Sequence, residues 1–256
     1  MKLRLAAFGL ALLWYASSGA PLVGQAKLTV AAASNLAPIT AALAEAFTRQ
    51  TGDTVEFILG ASGTLATQLR YGAPFDVLLS ADVETPQRLA TEGLSTAPRV
   101  YALGKLLLFS LEPRDFSQGL SLLLKPTVTQ VALANPQLAP YGRAAVEALS
   151  TQGLWAAVQP KVVTAQNVTQ ALQFTVSGTG LGFIAKSSLF TPDLVAFRRQ
   201  QGVHWFEVDQ RAYAPIEQAF VVRKASLGKV GVVAFVQFLG SQSARAIFEE
   251  AGYSVP

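Results

Sequence analysis

The chain has 256 residues, no cysteine, and 20 Lys and Arg against 16 Asp and Glu, for a formal net charge of +4. Without cysteine there is no disulfide, no thiolate metal site and no Cys-anchored lipoprotein, and the small net charge lacks the basic footprint of a nucleic-acid binder. With 51% apolar residues, the chain has ample material to bury the core of one large domain or two small ones.

The first 26 residues read as a secretory leader. Lys2 and Arg4 form a positive n-region, residues 5–14 an apolar core, and Gly24-Gln25-Ala26 supplies small residues at the −3 and −1 positions of a cleavage site. The apolar core is too short for a membrane-spanning helix, and no later run is long and uncharged enough for one. The expectation is cleavage after Ala26 and export to the periplasm without an anchor. The leader takes two bases and no acid with it. Eighteen bases then face sixteen acids, about +2.

From residue 27 onward the pattern alternates strand and helix, which predicts an α/β fold with mainly parallel sheets. Residues 28–33 are almost wholly apolar, as in a strand covered on both faces. Leu36, Ile39, Leu43, Ala46 and Phe47 recur at helical spacing, and Gly52 stops the helix. A strand over 54–59 and a helix over 64–71 follow. Next come a strand over 75–80 and a helix over 84–92. Strands are expected at 105–110 and 130–134, a helix at 142–150, a strand at 162–165, a helix at 168–176 and a strand at 181–185. The tail reads as a strand over 219–222 and helices over 228–240 and 242–252. No repeat or low-complexity segment interrupts the series.

Four junctions stand out, each ending a strand and opening a helix through small or hydroxyl-bearing residues: AAASN at 31–35, GASGT at 60–64, APYG at 139–142 and AQNV at 165–168. A helix start offers unpaired N–H groups and the positive end of the macrodipole, and so suits an anion. Ser34 and Ser62 stand where an N-cap should be, so each either caps its helix or serves a ligand. Gly63 allows close backbone approach. Asn167 reads as the cap of the fourth helix, and Pro140 suits the first turn of the third, where no N–H is missed.

Enzyme chemistry finds little support. His204 is the only histidine and has no nucleophile motif to pair with. Asp76 and Asp82, at the two ends of one strand, would make an acid/base pair, but Asp82 also reads as a cap for the helix that follows. The glycines at 178, 180 and 182 precede a strand and have the wrong spacing for a dinucleotide fingerprint. No cluster has metal-ligand spacing.

The blocks AAASN (31–35), TGDTVEF (51–57), GASGTLATQLRYGAPFDVLLSAD (60–82), ALGKLLLFS (102–110), NPQLAPYG (135–142), QNVTQAL (166–172), GLGFIA (180–185) and EEAGY (249–253) resemble, in this order, the periplasmic molybdate-binding proteins of bacterial ABC importers. The resemblance spans nearly all of the chain beyond residue 26, and the long block ending in SAD is its most specific part. It implies a two-lobed periplasmic-binding-protein fold of type II, with a mainly parallel sheet flanked by helices in each lobe and the ligand in the cleft. It also implies one lobe from 27–104 and 215–256 and the other from 105–214. By motif it assigns the oxyanion to Ser34, Asn35 and Ser62 and to the backbone N–H groups of Tyr141 and Val168. The metal would be touched through molybdate oxygens alone, with no cofactor. The implied partners are molybdate or tungstate and a membrane permease, and the protein is expected to be a monomer and not an enzyme. One departure is Ala185, where many relatives carry a Tyr that reaches the anion; either that donor is missing or Asn35 replaces it. A receptor for sulfate or another tetrahedral oxyanion is the alternative within this fold. A ferric-ion site would want adjacent tyrosines and acidic ligands, whereas Tyr141 and Tyr213 are isolated.

Overall fold

The computed structural model describes residues 27–256; the expected leader, residues 1–26, lies outside the described residues. Two five-stranded sheets organise the chain. The first holds β1 (Lys27–Ala33), β2 (Thr54–Gly60), β3 (Val77–Ser80), β4 (Arg99–Gly104) and β10 (Ile216–Val222), in the order β2-β1-β3-β10-β4. The second holds β5 (Leu106–Phe109), β6 (Val131–Ala134), β7 (Val162–Ala165), β8 (Gly182–Ala185) and β9 (Trp205–Glu207), in the order β7-β6-β8-β5-β9. The sheets are built alike. In each, three neighbouring strands are parallel, and the fourth in line runs against both of its neighbours. That reversed strand, β5 or β10, is the first one the chain forms after crossing from the other sheet.

Alternation along each strand divides the side chains between two faces. In the first sheet, Val30, Val77, Leu79, Phe220 and Val222 pack with Phe47, Phe235, Phe238 and Phe248 from α1 (Thr40–Thr51), α7 (Val230–Leu239) and α8 (Gln242–Glu250). Ala31, Leu78 and Val221 face the other way, onto Leu65, Leu69 and Leu89 of α2 (Ser62–Arg70) and α3 (Glu84–Thr91). In the second, Leu106, Leu108, Val131, Leu133 and Phe183 pack on Ala144, Ala145, Ala148 and Leu149 of α4 (Pro140–Thr151) and on Val158 of the short α5 (Trp155–Val158). Leu107, Phe109 and Ile184 face Leu189, Leu194 and Trp205.

The expected elements are present with shifted ends. The first helix opens as a 3-10 turn over Ser34–Ile39, with Pro38 inside it, and becomes α-helical only at Thr40; proline has no N–H for an α-helical bond there. The helix expected at 64–71 starts at Ser62, and that expected at 142–150 starts at Pro140. The helix expected at 168–176 is α6 (Val168–Phe174), continued by a π turn over Thr175–Thr179. Among the described residues, no single helix is long and apolar enough to cross a membrane.

Candidate anion site

The site is made where strands end. In the first sheet β1 and β2 are parallel neighbours, with Ala33 opposite Gly60 at their C-terminal ends. In the second, β6 and β7 are parallel neighbours, with Ala134 opposite Ala165. Parallel strands finish on the same edge, so each sheet delivers two helix starts side by side, where open α/β sheets bind ligands. Between the edges lies a small cavity, lined by residues 33–35, 60–62 and 81 from one sheet's side and 139–141, 167 and 168 from the other's. It brings together Ser34, Asn35, Ser62, Tyr141 and Val168, all of them buried. Among the described residues, no charged side chain lines it.

The local sequence leaves these helix starts open. The N-cap positions of the 3-10 turn, α2 and α4 are Ala33, Ala61 and Ala139, and none is capped by a side chain. Alanine has no side-chain oxygen with which to accept from the first-turn N–H groups; those of Gly63 and Gly142 go to the Leu138 and Ala139 carbonyls, and those of the residues that open the helices remain for something else. Ser34 and Ser62 therefore do not occupy the N-cap position expected of them; each is the first residue of its helix. Ser62 Oγ accepts from the Ala81 N–H at 3.0 Å, which leaves its proton to donate. The Ser34 carbonyl accepts from Thr169 Oγ1 at 2.9 Å, while its hydroxyl has no protein hydrogen bond among the described residues. The fourth start is capped as expected: Asn167 Oδ1 accepts from the Gln170 N–H at 2.9 Å, with Val168 the first helical residue. Pro140 is the first residue of α4. At Gly142 a Cβ would overlap the Ala134 carbonyl, so only glycine lets α4 sit this close to the end of β6.

Asn35 is differently employed. Its Nδ2 donates to Gln218 Oε1 and to the Tyr253 hydroxyl, each at 2.9 Å, and its Oδ1 is buried without a partner among the described residues. With the side-chain donor engaged, the backbone N–H is what Asn35 has left to offer. Ala185 ends β8 fully buried in the core and does not line the cavity.

The tyrosines behind the cavity stay protonated. Burial, with Tyr253 and Tyr101 adding to it, pushes the Tyr141 hydroxyl well above the usual tyrosine range, and burial pushes Tyr253 up to about 12. The described groups that line the cavity are thus neutral dipoles.

Several contacts join the two lobes around it. Arg143 Nη2 meets Asp82 Oδ2 at 2.5 Å, and Arg143 Nη1 meets Glu84 at 3.5 Å. Ser187 Oγ donates to the Asn35 carbonyl at 2.8 Å. The Gly63 N–H donates to the Leu138 carbonyl at 2.9 Å.

The groups considered for acid/base chemistry are engaged otherwise. Asp82 accepts from Ser80 Oγ and from the Thr85 N–H and hydroxyl, so it serves the first turn of α3 from the position before the N-cap, which is Val83 and not Asp82 as expected, and it also pairs with Arg143. Asp76 accepts from Ser226 Oγ at 2.7 Å, Lys229 Nζ at 2.8 Å and the Thr29 N–H at 3.1 Å. Buried His204 lies 4.7 Å from the Phe197 ring, centroid to centroid, with Nδ1 3.2 Å from the Ser110 carbonyl. Gln218, Tyr253, Ser187, Thr169 and Arg143 carry no local sequence signal and were not anticipated; only distance along the folded chain relates them to the site.

Paired helix starts from two lobes, meeting over an uncharged cavity, define a binding protein of the two-lobed type II periplasmic class. The chain belongs to a family described as bacterial extracellular solute-binding proteins, whose model matches residues 28–254. It is 34% identical over 230 residues to the molybdate-binding protein ModA of Rhodobacter capsulatus, covering 89% of this chain and 88% of that one. It is 33% identical to ModA of Azotobacter vinelandii, with 90% of each covered. The solved periplasmic molybdate-binding protein of Azotobacter vinelandii superposes with a TM-score of 0.81 at 32% identity, over 90% of this chain and 99% of that one.

Proposed function

We propose that the protein captures molybdate, and tungstate with it, in the periplasm and delivers it to the membrane permease of an ABC importer. The observation that carries this reading is the uncharged cavity on which four helix starts converge, three of them with alanine at the N-cap. The backbone N–H groups of Ser34, Asn35, Ser62, Tyr141 and Val168, with the hydroxyls of Ser34 and Ser62, would hold the tetrahedral dianion. All contact with the metal would be through its oxygens. The similarity to molybdate-binding proteins over most of the chain supports the choice of ligand.

Neutral donors suffice energetically. A hydrogen bond to a charged group contributes roughly 1.5–3 kcal/mol net. A handful of them, less the cost of ordering and closure, reaches about −8 to −12 kcal/mol, the submicromolar range or tighter. Selection would be by size, because donors fixed on helix starts cannot all follow the smaller sulfate inward without stretching. The lobes are taken as 27–104 with 215–256, and 105–214, with the ligand between them. The protein acts as a monomeric receptor and not as an enzyme, after removal of residues 1–26; the intact mass of the secreted form tests that cut.

Calorimetric titration of the mature protein with molybdate, tungstate, sulfate and phosphate tests the function. Tight molybdate and tungstate binding with far weaker sulfate binding is expected. Sulfate binding as tightly as molybdate would establish the alternative, a receptor for sulfate-sized oxyanions.

A further inference from the structure

Gln218 is fully buried on β10, the first strand after the chain returns to the first sheet, and the β10–β4 register shifts just beyond it. Its amide is used at both ends. Oε1 accepts from Asn35 Nδ2 at 2.9 Å and from the Tyr101 hydroxyl at 3.0 Å. Nε2 donates to the Tyr141 hydroxyl at 3.3 Å. Asn35 and Tyr141 belong to opposite lobes, and both line the anion cavity. Tyr253 fixes Asn35 from another side: its hydroxyl accepts from Asn35 Nδ2 and donates to the Asn35 carbonyl at 2.8 Å. Room for this arrangement is made by Gly104, the last residue of β4. A Cβ there would overlap the Tyr141 hydroxyl and lie 2.8 Å from Gln218 Nε2. Both chain crossings, after Gly104 and before Ile216, thus converge on one buried amide.

We infer that Gln218 is a positioning residue for the anion site, its single side-chain amide holding Asn35 of one lobe and Tyr141 of the other at the separation the ligand needs. The inference rests on the reading that the Asn35 and Tyr141 N–H groups grip the oxyanion from opposite sides. Gln218 itself does not line the cavity. It acts on the ligand through two residues whose donors lie on the backbone and survive any change in the amide. In a buried network of this kind, a residue behind the binding groups sets their geometry, and its loss is expected to cost about tenfold or more in affinity.

The test compares Gln218→Met, which keeps length and removes both hydrogen-bonding ends, with Tyr141→Phe, which removes the linking hydroxyl and keeps the backbone N–H. Molybdate Kd and apo melting temperature are measured for the wild type, each variant and the double variant. Each single variant should bind molybdate about tenfold more weakly. The double variant should be little weaker than Gln218→Met alone, because that substitution already breaks the link that Tyr141→Phe removes. Wild-type Kd values in folded variants, with only a lowered melting temperature, would make Gln218 a purely structural residue while leaving the molybdate reading intact. Losses that multiply in the double variant would equally overturn the shared link. If Gln218→Met fails to fold, unchanged affinity in Tyr141→Phe overturns the inference by itself. A wild type that binds no oxyanion would overturn the functional reading, and this inference with it.

Discussion

Ser34 and Ser62 look interchangeable in the sequence, and the structure separates them. Among the described residues the Ser34 hydroxyl has no hydrogen-bond partner, whereas Ser62 Oγ accepts from the buried Ala81 N–H. Ser34→Ala should therefore weaken molybdate binding by one to two decades, about 1.5–3 kcal/mol, and leave apo stability unchanged. Ser62→Ala should cost similar affinity and also about 1–3 kcal/mol of apo stability, through the N–H it leaves unpaired. Titration and melting of both variants check this; equal loss of apo stability in the two would refute the distinction. The residue types at the site were legible because four junctions of small and hydroxyl-bearing residues recur along the chain, although capping is the common use of a serine between a strand and a helix. Their position in the helix was not. A serine at such a boundary reads as N-cap or as first helical residue alike, and only the backbone conformation puts alanine in the capping place. Gln218 and Tyr253 were invisible for another reason: they lie 183 and 218 residues from the Asn35 they hold.

At the scale of elements, the start of α2 carries both a proposed ligand contact and the meeting of the lobes. A Cβ at Gly63 would stand 3.2 Å from both the Leu138 Cα and its carbonyl oxygen, backbone atoms across the cleft. The Gly63 N–H bonds that same carbonyl. Alanine is the better helix former by about 1 kcal/mol, so Gly63→Ala should leave the apo protein at least as stable. It should still weaken molybdate binding, by pushing the second lobe away. Stability and affinity moving in opposite directions is the signature to look for in paired melting and titration; unchanged affinity would show that the lobes meet without that contact. The long helices and apolar strands were legible from periodicity. β4 and β9 were not: β4 is followed at once by β5 with only Lys105 between them, and β9 is only Trp205–Glu207. β10 was seen only from Ala219 on, because Glu217 and Gln218 interrupt its pattern, and Gln218 is there for the network rather than the core.

For the whole molecule, the two lobes are the same arrangement used twice, each receiving its reversed strand from the chain returning out of the other. Asp76 helps hold the first lobe together, tying β3 to Thr29 of β1 and to Ser226 and Lys229 ahead of α7. Burial alone would raise the pKa of its carboxyl, but hydrogen bonds from Lys229, Ser226 and Thr29 outweigh that and hold it below the ordinary value. A depressed folded-state pKa gives stability that is complete above the usual carboxylate range and is lost as pH falls through the folded value. Melting temperature should accordingly fall on acidification below that range, and Asp76→Asn should be destabilised at neutral pH with a shallower acid dependence. Parallel acid profiles for the two proteins would deny Asp76 this part.

The central claim is that an oxyanion is held between the lobes by neutral donors at helix starts, without a counter-charge. A crystal structure of the mature protein with molybdate tests it most directly, since molybdenum is located by its anomalous scattering. The account predicts the metal in the cavity bounded by Ser34, Asn35, Ser62, Tyr141 and Val168, its oxygens within hydrogen-bond distance of their N–H groups and of the two serine hydroxyls, and Arg143 still on Asp82. Molybdate bound elsewhere, or gripped by Arg143 or a lysine, would contradict it.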